Sequence, residues 1–135
     1  GVNLKPVASL KVKVLQVKEL HACDGAIGYG RMGAISPEGT TVATIPVGYA
    51  DGIDRRLGCG RASFSLRGRR VPTVGNICMD MCMLDVTGVD CKVGDTVTIF
   101  GEDPAVSELA EILGTIPYEI MTSVPRRIER VIIRR

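Results

Sequence analysis

The chain has 135 residues, 45% of them hydrophobic and 24% charged, with a formal net charge of +2 at pH 7. That length supports one domain with a real core, and the balance is that of an ordinary soluble globular protein. So mild a charge gives no argument for a nucleic-acid partner, and no apolar run approaches a membrane span or a signal peptide. The opening Gly1-Val2-Asn3-Leu4-Lys5-Pro6 reads as a cut in a longer protein. Ala8 to Leu20 then alternates as one long strand, followed by a polar turn through His21-Ala22-Cys23-Asp24-Gly25. Tyr29 to Ile35 is the next expected strand, closed by the turn residues Ser36-Pro37-Glu38-Gly39. Thr41 to Val47 is apolar and β-branched until Gly48-Tyr49-Ala50-Asp51-Gly52 breaks it. Ala62–Leu66 and Arg70–Val74 flank Arg67-Gly68-Arg69 as a hairpin; Ile77–Val86 and Thr96–Phe100 are further strands. Ser107 to Gly114 reads as a helix with Ser107 as its cap and Gly114 as its stop. Pro117 to Val124 suits a second short helix, and Ile128 to Ile133 a closing strand. The expected fold is mainly β: a closed or nearly closed, Greek-key-like β-barrel with one or two short helices, spanning 1–135 as a single domain.

Five cysteines, Cys23, Cys59, Cys78, Cys82 and Cys91, follow no disulfide spacing, which points to reduced thiols and a cytoplasmic location. Cys78 and Cys82 are separated by three residues, but the single His21 and the other cysteines supply no second half of a zinc site, so no metal is expected. Gly28-Tyr29-Gly30-Arg31-Met32-Gly33 matches the dinucleotide-binding glycine pattern, with Asp51 at about the spacing of its ribose-binding acid. That pattern needs its third glycine to open a helix, whereas here the chain runs into a turn and a strand, so no helix N-terminus is available for a pyrophosphate. Tyr29, held by bare backbone on both sides, is better placed to present a phenol to something that docks. The segment Val74-Gly75-Asn76-Ile77-Cys78-Met79-Asp80-Met81-Cys82-Met83-Leu84-Asp85 reads as a buried strand with Met and Cys as adaptable core fillers. Asp80 resists that reading, because a carboxylate in a buried strand needs a partner, and suggests a strand whose edge meets a site.

Gly28-Tyr29-Gly30, Ile45-Pro46-Val47-Gly48-Tyr49-Ala50-Asp51-Gly52, Asn76-Ile77-Cys78-Met79-Asp80 and Ile116-Pro117-Tyr118-Glu119, in that order and at those separations, closely resemble the C-terminal domain of alanine racemase. The resemblance covers essentially the whole chain. It implies a partner domain absent from this sequence, an N-terminal α/β barrel that carries pyridoxal phosphate, and a homodimer in which this β domain packs against the barrel of the partner subunit. The cofactor withdraws electrons from the α-carbon of alanine, and a base is needed on each face of that carbon. By resemblance the cofactor lysine serves one face and Tyr29 the other. A phenol titrates near pH 10, so it needs nearby positive charge or hydrogen bonds, which beyond Arg31 would come from the barrel. Met79 matches the residue whose main-chain N–H binds the substrate carboxylate, with Asp80 as its neighbour. Tyr49 and Arg55 match residues lining the substrate entryway; read without the resemblance, they belong to a solvated loop with a capping aspartate.

Two positions depart from the family pattern. Asn76 stands where many members have arginine, and Arg126 where some have a tyrosine near the cofactor phosphate, which leaves alanine against serine open. No lysine here has the cofactor-lysine context, so the chain alone is expected neither to bind pyridoxal phosphate nor to racemise alanine. Other readings are a serine/alanine racemase domain of a larger fusion or resistance protein, and a β-barrel RNA-binding module. The latter would use Arg67, Arg69, Arg70, Arg126, Arg127, Arg134 and Arg135, although 4% aromatic residues leave few platforms on which bases stack.

Overall fold

β-Branched and aromatic residues at alternate positions turn one face of each strand toward a shared core. A computed structural model of the protein describes residues 9–20 and 39–125. Its strands are β1 (Leu10–Lys13), β2 (Gln16–Leu20), β3 (Thr40–Ile45), β4 (Ser63–Leu66), β5 (Arg69–Val74), β6 (Cys82–Asp85) and β7 (Thr96–Phe100). Helices α1 (Val106–Leu113) and α2 (Pro117–Thr122) follow. The strands form one antiparallel sheet in the order β1-β7-β4-β5-β6-β3-β2. Phe64 and Leu66 of β4, Leu84 of β6, Val97 and Ile99 of β7 and Ile45 of β3 fill its concave side, and Leu109 of α1 and Ile120 of α2 join them.

The expectation of a closed or nearly closed barrel is overturned. Among the described residues the sheet is an open half-barrel with an arc of 230° and edges 9 Å apart. Strands must approach to about 4.8 Å to share hydrogen bonds, so the edges do not pair. The cause lies in the first segment, expected as one strand. It breaks at Val14–Leu15, where Val14 N–H donates to Asp95 O beside β7 and Leu15 N–H donates to Thr44 O in β3. The two halves thus pair outward to opposite ends of the sheet order and form its two edges. Alternation in the sequence does not register this, because inward-facing residues alternate equally in open and closed sheets.

The β4–β5 hairpin turns through Arg67 and Gly68, both at positive φ (53° and 77°), as a two-residue connection with right-handed strand twist requires. Gly114 closes α1 at φ 68°, and Pro117 takes the first position of α2, as expected. The α1 cap is Ala105 rather than Ser107, and it makes no side-chain capping bond. The expected strands Tyr29–Ile35 and Ile128–Ile133 lie outside the described residues.

Arg70 on β5 ties α1 to the sheet. Its guanidinium reaches Glu108 at 2.6 Å, and it also pairs with Asp103 in the loop before α1. Hydrogen bonds from Arg70 hold both carboxyls below their ordinary values of 3.8 and 4.5. Because the folded values are depressed, the contribution is present above the unfolded values and is lost as pH falls through the folded ones. With both acids about half exposed, solvent screening limits the network to about 1 kcal/mol. Arg70→Met is therefore expected to lower Tm by about 2–4 °C at pH 7, with the gap to wild type closing below about pH 4. Thermal scans from pH 7 to pH 2.5 check this, and a gap that persists at the acid end contradicts it.

Candidate functional site

The register Ile45↔Cys82 between β3 and β6 makes the chain leave β3 and enter β6 at the same end of the sheet. Two turns meet there. The first is a 3-10 turn, Tyr49–Asp51, bounded by Gly48 and Gly52. Asp51 is 4% exposed, and its Oδ2 accepts the Gly48 N–H at 3.0 Å. The second turn, residues 78–81, is closed by Cys78 N–H donating to Met81 O at 3.0 Å.

The turns are joined main chain to main chain. Tyr49 N–H donates to Cys78 O and Ala50 N–H to Met79 O, each at 3.0 Å. The approach is so close that a Cβ on Gly48 would lie 2.1 Å from Cys78 O and 2.5 Å from Met79 O. A trans peptide sets its C=O and N–H on opposite sides, and both peptides here are trans. With Cys78 O and Met79 O turned toward the first turn, the N–H groups of Met79 and Asp80 point away from it. Among the described residues neither has an acceptor. Two successive N–H groups on one side of a turn can hold an anion such as a carboxylate.

Tyr49 is 41% and Met79 50% exposed. The Arg55 guanidinium carbon lies 5.9 Å from the centre of the Tyr49 ring, within cation–π range. Both line an open cleft of about 530 Å³ between this loop and the helices, together with Arg56, Glu119 and Ser123. Met79 is outside that cleft. Arg56 fixes the cleft wall: its guanidinium binds Asp54 and donates to Leu113 O at the end of α1.

A second pair of segments braces the 78–81 turn from below. Cys59 N–H donates to Gly75 O at 2.8 Å and the Cys59 thiol donates to Asn76 Oδ1 at 3.4 Å. The buried Thr73 hydroxyl donates to Leu57 O and accepts Gly60 N–H, locking this layer.

The structure thus brings together Tyr49, Arg55 and the main chain of Met79. Tyr29 and Arg126 lie outside the described residues, as do residues 28–33 of the glycine pattern. Asp51, at the spacing of a ribose-binding acid, instead caps its own turn. The strand expected over Ile77–Val86 is only β6, Cys82–Asp85; residues 77–81 are loop, because their carbonyls are spent on the first turn and on Cys78. Asp80 is accordingly exposed rather than buried in a strand. Cys78 and Cys82 are core thiols, and burial pushes Cys82 up to about 12. Sequence reading missed Gly48 and Asp51 as builders of the site. The signal available is a glycine with an acid three residues on, bounded by Gly52.

Residues 7–132 match the family described as alanine racemase, C-terminal domain. The alanine racemase of Clostridium kluyveri is 41% identical over 99% of this chain and 35% of its own length. That of Desulfosudis oleivorans is 45% identical over 96% of this chain and 34% of its own. Among solved structures, the Clostridium difficile alanine racemase in complex with cycloserine superposes with a TM-score of 0.86 at 35% identity, covering 94% of this chain and 33% of that one. The Bartonella henselae alanine racemase with covalently bound pyridoxal phosphate gives a TM-score of 0.85 at 33% identity, over 93% of this chain and 34% of that one. The chain spans about a third of the length of these relatives. With its fold and its sequence both matching, the chain belongs to the alanine racemase C-terminal domain family.

Proposed function

We propose that this chain is the C-terminal part of a cytoplasmic, homodimeric, pyridoxal-phosphate-dependent racemase that interconverts L- and D-alanine for peptidoglycan synthesis. The observation that carries the reading is the pair of outward N–H groups at Met79 and Asp80, aimed by the docked turns at a position where a carboxylate would be held. In this reading Met79 N–H binds the alanine carboxylate, Tyr49 and Arg55 line the approach, and Tyr29 moves a proton at its Oη on one face of the α-carbon. Leu20 pairs with Thr40, so the segment bearing Tyr29 leaves and re-enters the sheet at one place. Residues 21–39 have contour enough to go out and back about 30 Å, more than the length of β3, so chain length permits Tyr29 to reach Met79.

Pyridoxal phosphate, when bound, withdraws electrons from the α-carbon. The described residues do not fit the group: Lys13 lies on an edge strand and donates to Thr96 Oγ1 at 2.8 Å, and no described lysine lines the cleft. The cofactor therefore belongs, in this reading, to an N-terminal barrel supplied by the rest of the protein. The RNA-binding alternative is disfavoured by Arg67 and Arg70, whose charges are already paired with Asp90, Asp95, Asp103 and Glu108.

The test is a racemisation assay on the full-length protein and on this chain, each with added pyridoxal phosphate. The full-length protein is expected to interconvert the alanine enantiomers. The chain alone is expected to show neither turnover nor a Schiff-base absorbance band. An inactive full-length protein contradicts the function, and an active isolated chain contradicts the division of labour. Parallel assays with serine decide between alanine and broader use.

A further inference from the structure

The geometry points to Asp51 as a positioning residue for substrate-carboxylate binding, acting through two layers of main chain. This inference rests on the functional reading above and deepens it. Asp51 is buried at the centre of the first turn, and its Oδ2 holds the Gly48 N–H at 3.0 Å. Gly48 O in turn accepts from Asp51 N–H and Ile53 N–H, so Asp51 closes the turn on both sides of Gly48, through its carboxylate and through its own N–H. The closed turn directs two consecutive donors, Tyr49 N–H and Ala50 N–H, to the carbonyls of Cys78 and Met79. Those two bonds set the planes of the peptides whose N–H groups belong to Met79 and Asp80.

Asp51 reaches no outward N–H itself; it fixes their direction through the carbonyls behind them. The property that this contact uses is an oxygen acceptor at the right reach. Asparagine keeps that oxygen at the same distance. Glutamate keeps the charge but carries the oxygen one methylene too far. Alanine removes the acceptor and frees the turn.

The experiment uses the full-length protein with Asp51→Ala, Asp51→Asn and Asp51→Glu. Asp51→Ala is expected to raise KM for alanine about tenfold, with kcat changed less than about threefold, as loss of carboxylate binding requires. The inhibition constant of acetate, a bare carboxylate, rises in parallel. Asp51→Asn stays within about threefold of wild type, and Asp51→Glu behaves like Asp51→Ala. Amide hydrogen exchange on the same proteins shows Tyr49 and Ala50 losing protection in the alanine variant and keeping it in the asparagine variant. Unchanged KM and acetate inhibition in Asp51→Ala overturns the inference, as does an asparagine variant more impaired than the glutamate one. If Asp51→Ala does not fold, the asparagine–glutamate comparison decides alone. If the wild-type protein does not racemise alanine, the functional reading fails and the exchange data still decide the positioning role, equal protection in all variants overturning it.

Discussion

Tyr29→Phe in the full-length protein is expected to reduce alanine racemisation by about a thousandfold while leaving cofactor loading intact. Phenylalanine keeps the ring and removes only the hydroxyl, so under the proposed role what is lost is proton transfer at Oη, a contribution of about 10²–10⁴ for a positioned acid or base. The equilibrium between the enantiomers is not altered by the enzyme, so net racemisation falls equally in both directions. The asymmetry appears in exchange of the α-hydrogen with solvent. In deuterated water the variant is expected to exchange D-alanine through the base on the other face and to lose exchange of L-alanine. Mass spectrometry of each recovered enantiomer measures this. Continued exchange of L-alanine at the wild-type rate assigns the proton transfer to another group.

The sequence carried the strands with strict alternation well. Thr96–Phe100 is β7 as expected, and the Arg67-Gly68 hairpin is legible because a two-residue connection demands positive φ. Gly114 and Pro117 marked the helix boundaries through backbone chemistry alone. What failed was long-range geometry. Val14 and Leu15 look like any two strand residues, yet their N–H groups turn to opposite edges of the sheet and open the barrel. Ile77–Met81 has strand composition, but its carbonyls are captured by the turn at Tyr49 and Ala50, a competitor about thirty residues away that no local pattern reveals. Asp80, which resists a buried-strand reading, is exposed in that loop. Tyr49, Arg55 and the main-chain N–H of Met79 entered the candidate site through the resemblance, because a backbone N–H leaves no side-chain signature that composition or spacing could reveal. Asp51 was visible as a capping acid; that its cap extends into the Met79 turn required the fold.

That dependence on main-chain contact makes Gly48 a sensitive position. Gly48→Ala in the full-length protein is expected to cost about 3 kcal/mol of stability and about a hundredfold in kcat/KM for alanine. Gly48 has φ −145°, which alanine adopts without strain, so the whole effect is steric. A methyl 2.1 Å from Cys78 O and 2.5 Å from Met79 O forces the two turns apart by about 1 Å, since a Cβ requires more than 3 Å from an oxygen. The Tyr49-to-Cys78 and Ala50-to-Met79 hydrogen bonds then stretch beyond useful length, each worth about 1 kcal/mol net. A shift of about 1 Å at a substrate-holding group is enough for a hundredfold loss in rate. Gly68→Ala is the matched control. At φ 77° with nothing within 4 Å of its added Cβ, it is expected to cost about 1 kcal/mol through backbone strain alone and to leave kcat/KM unchanged. Thermal unfolding and steady-state kinetics on the two variants separate the cases. If Gly48→Ala loses stability like Gly68→Ala and keeps its activity, the paired turns serve the fold and not the substrate.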